Sequence, residues 1–201
     1  MKKLFNKDNF KENSFIIGEV GQNHQGDIKL AKKYISEFSR AGAHAIKFQT
    51  RNNKLLFSKE SYNKDYNSDN AFGKKYGEHR EFLELERSDY KILVDECKKN
   101  NVKFMCTPFD EDSLEFLIQL GVEILKIASF DLGNLPFISK IAKSKIPVVM
   151  SVGGGKIDQI ESSVKTILNY HSDLAILHCV SEYPCEFDRL GLENIEILMK
   201  K

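Results

Sequence analysis

Residues 15–27, FIIGEVGQNHQGD, begin as an apolar run (Phe15, Ile16, Ile17) and turn polar within four residues. A short apolar run is the pattern of a strand buried on both faces. Glu19 stands where such a strand would emerge into a loop. Asp27 has the short side-chain oxygen that caps a helix start, and Leu30, Ala31, Tyr34, Ile35 and Phe38 follow it at helical spacing. Strand, polar loop and capped helix make the first half of a βα unit, and in parallel α/β folds the chemistry gathers at that end of the strand. The fold turns on whether the pattern repeats.

It repeats five more times. Apolar runs at residues 44–50 (HAIKFQT), 102–109 (VKFMCTPF), 123–129 (EILKIAS), 147–152 (PVVMSV) and 174–181 (LAILHCVS) read as buried strands, with helical patterns between them. Gly42 is placed to end the first helix, Ser88 to cap the one carrying Leu93, Val94 and Cys97, and Asp110 to open one with Leu114, Leu117 and Ile118 inward. Asn134 with Pro136 behind it marks a further helix start, and residues 192–199 read as a sixth helix. Residues 51–87 break the rhythm, being rich in Asn, Lys, Tyr, Ser and Gly. A connection that long is expected to be a lid or insertion loop, with a solvated excursion as the alternative.

Six βα units in one direction imply a parallel sheet covered by helices, either doubly wound or a barrel. An eight-stranded barrel needs roughly 250 residues, so this 201-residue chain is expected to be an incomplete one, a single domain over residues 1–201. Its first and sixth strands would keep open edges.

Composition narrows the function. Lys+Arg total 30 against Asp+Glu 29, so no global field draws the chain to nucleic acid or anionic lipid. No apolar run approaches the ~20 residues that span a bilayer, and the first fifteen residues lack a signal-peptide core, so a cytoplasmic protein with no membrane partner is expected. Cys97, Cys106, Cys179 and Cys185 show no zinc-ligand spacing, and Cys106 and Cys179 are expected to be buried, inert thiols.

The strand ends collect Glu19, Lys47, Gln49, Thr107, Lys126, Ser129, Asp131, Ser151, Ser181 and Tyr183. Two lysines inside apolar runs must either snorkel to the surface or meet an anion. With the hydroxyls and the glycines at 153–155 they suit a small polyanion such as a phosphorylated carboxylic acid. His24 reads equally as a hydrogen-bonded loop residue or a ligand, and His178 as a satisfied core histidine.

The segments GEVGQNHQGD, KFQT, YGEHR, CTPFD, KIAS with Asp131 and Asn134, SVGG and LHCVSEYP keep both order and spacing. Together they resemble the motifs of the N-acetylneuraminate (sialic acid) synthase family, from about residue 15 onward. The resemblance implies an N-terminal (β/α)8 TIM barrel that condenses phosphoenolpyruvate with an N-acylated amino sugar of the N-acetylmannosamine type, releasing phosphate with a divalent metal, manganese or magnesium. By the same resemblance Glu19 and Asp131 are catalytic carboxylates, and Lys47, Thr107, Lys126, Ser129 and Ser151 hold phosphoenolpyruvate. Gln49, Ser181 and Tyr183 complete the substrate contacts.

The match has departures. Asp131 stands where the family usually has Glu, and Ser181 where it usually has Asn. The family's two metal-binding histidines, on its seventh and eighth strands, have no counterpart here, so no metal ligand is assigned. The family's C-terminal domain is also without a match. The expectation is a piece of limited activity by itself, and a homodimer if a full-length protein exists. A related legionaminic or pseudaminic acid synthase and a non-catalytic binding module are the alternatives.

Overall fold

The structure, a computed structural model, describes residues 3–5 and 14–200. The chain divides into two compact units, Glu12–Glu123 and Met1–Lys11 with Ile124–Lys201.

In the first unit, strands β1 (Ile17–Gly21), β2 (Ala45–Thr50) and β3 (Lys103–Pro108) pair in parallel and in chain order. Helices α1 (Ile28–Arg40), α5 (Arg87–Lys99) and α6 (Glu111–Leu120) follow the strands. The reading of α1 holds at its start: the Asp27 carboxylate accepts from the N–H groups of Lys29 and Leu30, satisfying donors that a helix start leaves orphaned. Asp110 does the same for α6 at Ser113. Gly121, at φ +77°, ends α6 in the left-handed region that costs glycine least.

Burial on both faces of β2 explains why apolar residues occupy both of its faces. Ala45, Ile46 and Phe48 are fully buried, and Phe48 stacks on Phe104 of β3 with ring centroids 5.7 Å apart. Tyr90 of α5 closes the other side, edge-on to Phe104 and to Phe116.

Residues 51–87 carry more order than their composition suggested. Three short helices, α2 (Asn53–Leu56), α3 (Lys59–Asn63) and α4 (Tyr76–Phe82), lie there with an antiparallel bridge between Asp65 and Lys75. Buried His79 is the hub: its ring packs on Tyr66 and Phe72, and its Nδ1 accepts the N–H of Phe72 at 3.2 Å.

In the second unit β4 (Ile124–Ile127), β5 (Val148–Ser151) and β6 (Leu174–Leu177) alternate with α7 (Leu135–Lys143), α8 (Ile157–Leu168) and α9 (Glu193–Lys200). β5 pairs in parallel with β4 and β6. Ile124, Leu125, Ile138, Ile141, Val148 and Met150 are fully buried and form its core.

Four expectations need correction. α5 is capped at Glu86 rather than Ser88, because the chain turns helical one residue before that serine. Ile118 is 40 % exposed, on the outer face of α6. β6 ends at Leu177, four residues earlier than the apolar text. His178 and Cys179 therefore lie in the following loop, each only half-buried, with His178 Nε2 2.7 Å from the Leu190 carbonyl. Among the described residues no helix is long and apolar enough to cross a membrane.

Candidate active site

In the first unit the site starts from strand register. Glu19 of β1 is the partner of Lys47 of β2, so the two side chains leave the sheet side by side. The register shifts between Glu19 and Gly21, which makes β1 irregular where it opens into the loop. Lys47 Nζ lies 2.7 Å from Glu19 Oε2 and donates to Thr107 Oγ1 at 3.2 Å. Lys47 and Thr107 are buried, whereas the Glu19 side chain is 48 % exposed. A buried ammonium costs several kcal/mol unless it is paired. Here the pairing carboxylate sits at the solvent side, where it can yield the ammonium to an incoming anion.

Gln49, two residues along the same face of β2, is held at both ends. Its carbonyl accepts from Tyr90 Oη at 2.9 Å, and its Oε1 accepts from Arg51 Nη2 at 2.5 Å. A Cβ on Gly21 (φ +56°) would lie 3.1 Å from Glu19 Oε1 and 3.4 Å from Gln49 Nε2. The absence of a side chain at Gly21 thus keeps the space between carboxylate and amide open.

Sequence reading missed what lies behind Gln49. Arg51 Nε is 3.2 Å from Glu84 Oε1, which also accepts from Gln22 Nε2 at 2.7 Å. Both charged side chains are almost fully buried. Burial pushes Glu84 up to about 7 against the opposing charge of Arg51. The polarity switch at residue 51 was the only local signal, since the partners are distant in sequence.

His24 resolves as a structural loop residue. It is 1 % exposed, its Nδ1 accepts the Gly26 N–H at 3.0 Å, and burial lowers it to about 4, so it is neutral at physiological pH.

The second unit holds a cluster of its own. Lys126 of β4 donates to the Ile127 carbonyl at 2.7 Å and to Ser151 Oγ at 2.6 Å. Ser129, in a short 3-10 turn (Ser129–Asp131), accepts the Gly153 N–H at 3.0 Å. Asp131 is buried and its Oδ2 has no hydrogen-bond partner among the described residues. Burial raises Asp131 to about 6, with a hydrogen bond from Asn134 and the charge of Lys126 acting the other way. Ser181 Oγ lies 3.0 Å from where a Cβ on Gly153 would sit, so the glycine gives that hydroxyl its room. Tyr183 is 95 % exposed.

Among the described residues no three His, Cys, Asp or Glu side chains come together to hold a metal ion. The donors gathered at the strand ends are mainly ammonium, hydroxyl and amide groups, which serve anions rather than a divalent cation.

A profile of the NeuB family matches residues 34–201. The chain belongs to the NeuB family. Over 92 % of its length it is 41 % identical to the N-acetylneuraminate-9-phosphate synthase of Drosophila melanogaster, spanning 50 % of that protein. It is 35 % identical to the N,N'-diacetyllegionaminic acid synthase of Legionella pneumophila, spanning 53 % of it. The crystal structure of N-acetylneuraminic acid synthetase from Leptospira borgpetersenii, in complex with citrate, superposes with a TM-score of 0.80 at 34 % identity. That match covers 92 % of this chain and 61 % of the Leptospira chain. The NeuB chain described here thus spans about half the length of the curated relatives it matches. Its fold is α/β of the (β/α)8 TIM-barrel type, incomplete, with six βα units.

Proposed function

We propose that this NeuB-family chain carries phosphoenolpyruvate-binding groups for condensation with an N-acylated amino sugar, releasing phosphate. The observation that carries the reading is that each buried strand lysine meets a hydroxyl, Lys47 at Thr107 and Lys126 at Ser151. Such pairs offer a point charge and a directed donor to phosphate or carboxylate oxygens. The names of the relatives, synthases of sialic and legionaminic acids, support the class of product.

The chemistry follows from these groups. The enol carbon of phosphoenolpyruvate attacks the sugar aldehyde and a carbon–carbon bond forms, while positive character develops at the neighbouring carbon. Water captures that carbon, and the phosphate then leaves with its bridging oxygen. Lysines and hydroxyls fix the orientation of the anion. Glu19 manages the proton at the aldehyde oxygen. Asp131, buried and raised to about 6, takes the proton that the captured water gives up. Ser129 joins the groups that hold phosphoenolpyruvate, Gln49, Ser181 and Tyr183 complete the substrate contacts, and residues 51–87 act as the binding loop.

The reading extends to a cytoplasmic enzyme, to a homodimer of any longer form, and to a manganese or magnesium requirement that a longer form would meet. The 201-residue chain alone is expected to bind phosphoenolpyruvate but to turn over little. Calorimetric titration tests the core claim: phosphoenolpyruvate should bind saturably, and K47M should weaken it about tenfold or more, the worth of a charge-assisted hydrogen bond. Absence of binding would overturn the proposal in favour of a non-catalytic module. Manganese-dependent product formation by the chain alone would overturn the expected lack of turnover.

A further inference from the structure

Arg51 donates from Nη2 to Gln49 Oε1 at 2.5 Å, its Nε lies 3.2 Å from Glu84 Oε1, and its guanidinium sits 4.2 Å over the Phe109 ring. Gln22 Nε2 donates to the same Glu84 oxygen at 2.7 Å, which fixes the carboxylate from the loop after β1. Arginine has only donors, so the Gln49 atom that faces it must be the amide oxygen. The two atoms of a glutamine amide look alike, and the network decides between them. With Oε1 taken by Arg51, Nε2 is left on the side of Gly21 and Glu19, close to the space that Gly21 keeps open.

We infer that Arg51, braced by Glu84, is a positioning residue that locks the Gln49 amide with its N–H donors facing the Glu19 carboxylate. A substrate must therefore present an acceptor oxygen, a hydroxyl or an acyl carbonyl, at that point. Without Arg51 the amide is free to rotate and to offer either an acceptor or a donor, so the site loses its discrimination. The consequence for the sugar rests on the function proposed above; the orientation of Gln49 does not.

The test has two arms on the full 201-residue chain. Nitrogen-15 relaxation of side-chain amides reads the lock directly, with the Gln49 signal identified by its loss in Q49E. In the unmodified chain its order parameter should approach that of rigid backbone, about 0.85, and in R51M it should fall below about 0.6. The Asn100 side-chain amide and the β2 backbone should not change, which separates loss of positioning from loss of fold. R51K keeps the charge but not the fork that spans Gln49 and Glu84, and serves if R51M does not fold.

In the second arm N-acetylmannosamine should bind R51M at least tenfold more weakly, with phosphoenolpyruvate affinity within twofold. A Gln49 amide as ordered in the Arg51 variants as in the parent overturns the inference. A loosened amide with unchanged sugar affinity overturns its link to specificity. If the parent chain binds no sugar, the link to sugar specificity is overturned, while the relaxation arm still decides the role of Arg51 and phosphoenolpyruvate titration decides the proposed function.

Discussion

Replacing Lys126 by methionine separates binding from folding within the second unit. The ammonium is buried and its hydrogen bonds go to the Ile127 carbonyl at 2.7 Å and Ser151 Oγ at 2.6 Å. Methionine keeps an unbranched stem of similar length in the same slot and removes a charge whose desolvation the fold otherwise has to offset. Two acceptors lose a donor, but the Cys179 thiol still reaches Ser151 Oγ at 3.3 Å. The opposing terms leave a net change of about 1–2 kcal/mol, which for a chain of this size moves the melting temperature by roughly 2–8 °C. A hydrogen bond from a charged donor to a ligand anion is worth about 1.5–3 kcal/mol, so phosphoenolpyruvate affinity should drop by about 12- to 150-fold. Calorimetry of ligand binding beside thermal unfolding of the same samples gives both numbers. Affinity within twofold of the parent, in a variant that still melts cooperatively, would refute the assignment of Lys126 to the anion.

Three further outcomes follow from burial. Asp131 is raised to about 6 from 3.8, so the folded state holds its proton more tightly; this stabilisation is present below about pH 4 and lost as the pH rises through about 6. D131N should lack that loss, and urea midpoints at about pH 4.5 and 7.5 should show the variant gaining on the parent at the higher pH; parallel profiles would refute it. His24 runs the other way: lowered to about 4 from 6.5, it favours the fold above about pH 6.5, and that stability goes as the pH falls through 4. H24Q should flatten the acid limb by up to about 3 kcal/mol, read from denaturant midpoints between about pH 4 and 7. Burial pushes the Cys97 thiol up to about 12 and Cys106 higher still, so a thiol reagent on the native chain should label only Cys179 and Cys185 quickly, with all four reacting in denaturant.

The strands and most helices were legible because each is a local pattern. The apolar run of β2 and the caps at Asp27 and Asp110 need only neighbouring residues to be read. Lys47 and Lys126 stood out as charges in apolar text, and the structure finds each holding a hydroxyl. What was not legible depends on distance or on competition. Glu84 and Arg51 lie in separate segments with no shared pattern, so their ion pair could not be read. Residues 51–87 hide their short helices because α2, α3 and α4 run only 4, 5 and 7 residues, too few to display an apolar period, even though Ser58 caps α3 by accepting the Ser61 N–H. β6 was read too long because apolarity marks burial better than it marks the last ladder bond, and the half-buried loop after Leu177 keeps the same apolar character.

The bonds within each unit's candidate cluster span long stretches of chain: Lys47 to Thr107 closes 60 residues in the first unit and Lys126 to Ser151 closes 25 in the second. The caps at Asp27 and Asp110 close three or fewer. Loop closure of this kind waits for the docking of whole strands. During refolding, helical signal should therefore recover ahead of the lysine contacts, and ligand competence should come among the last events to return. A partly folded chain would carry most of its helices and none of its anion-binding geometry.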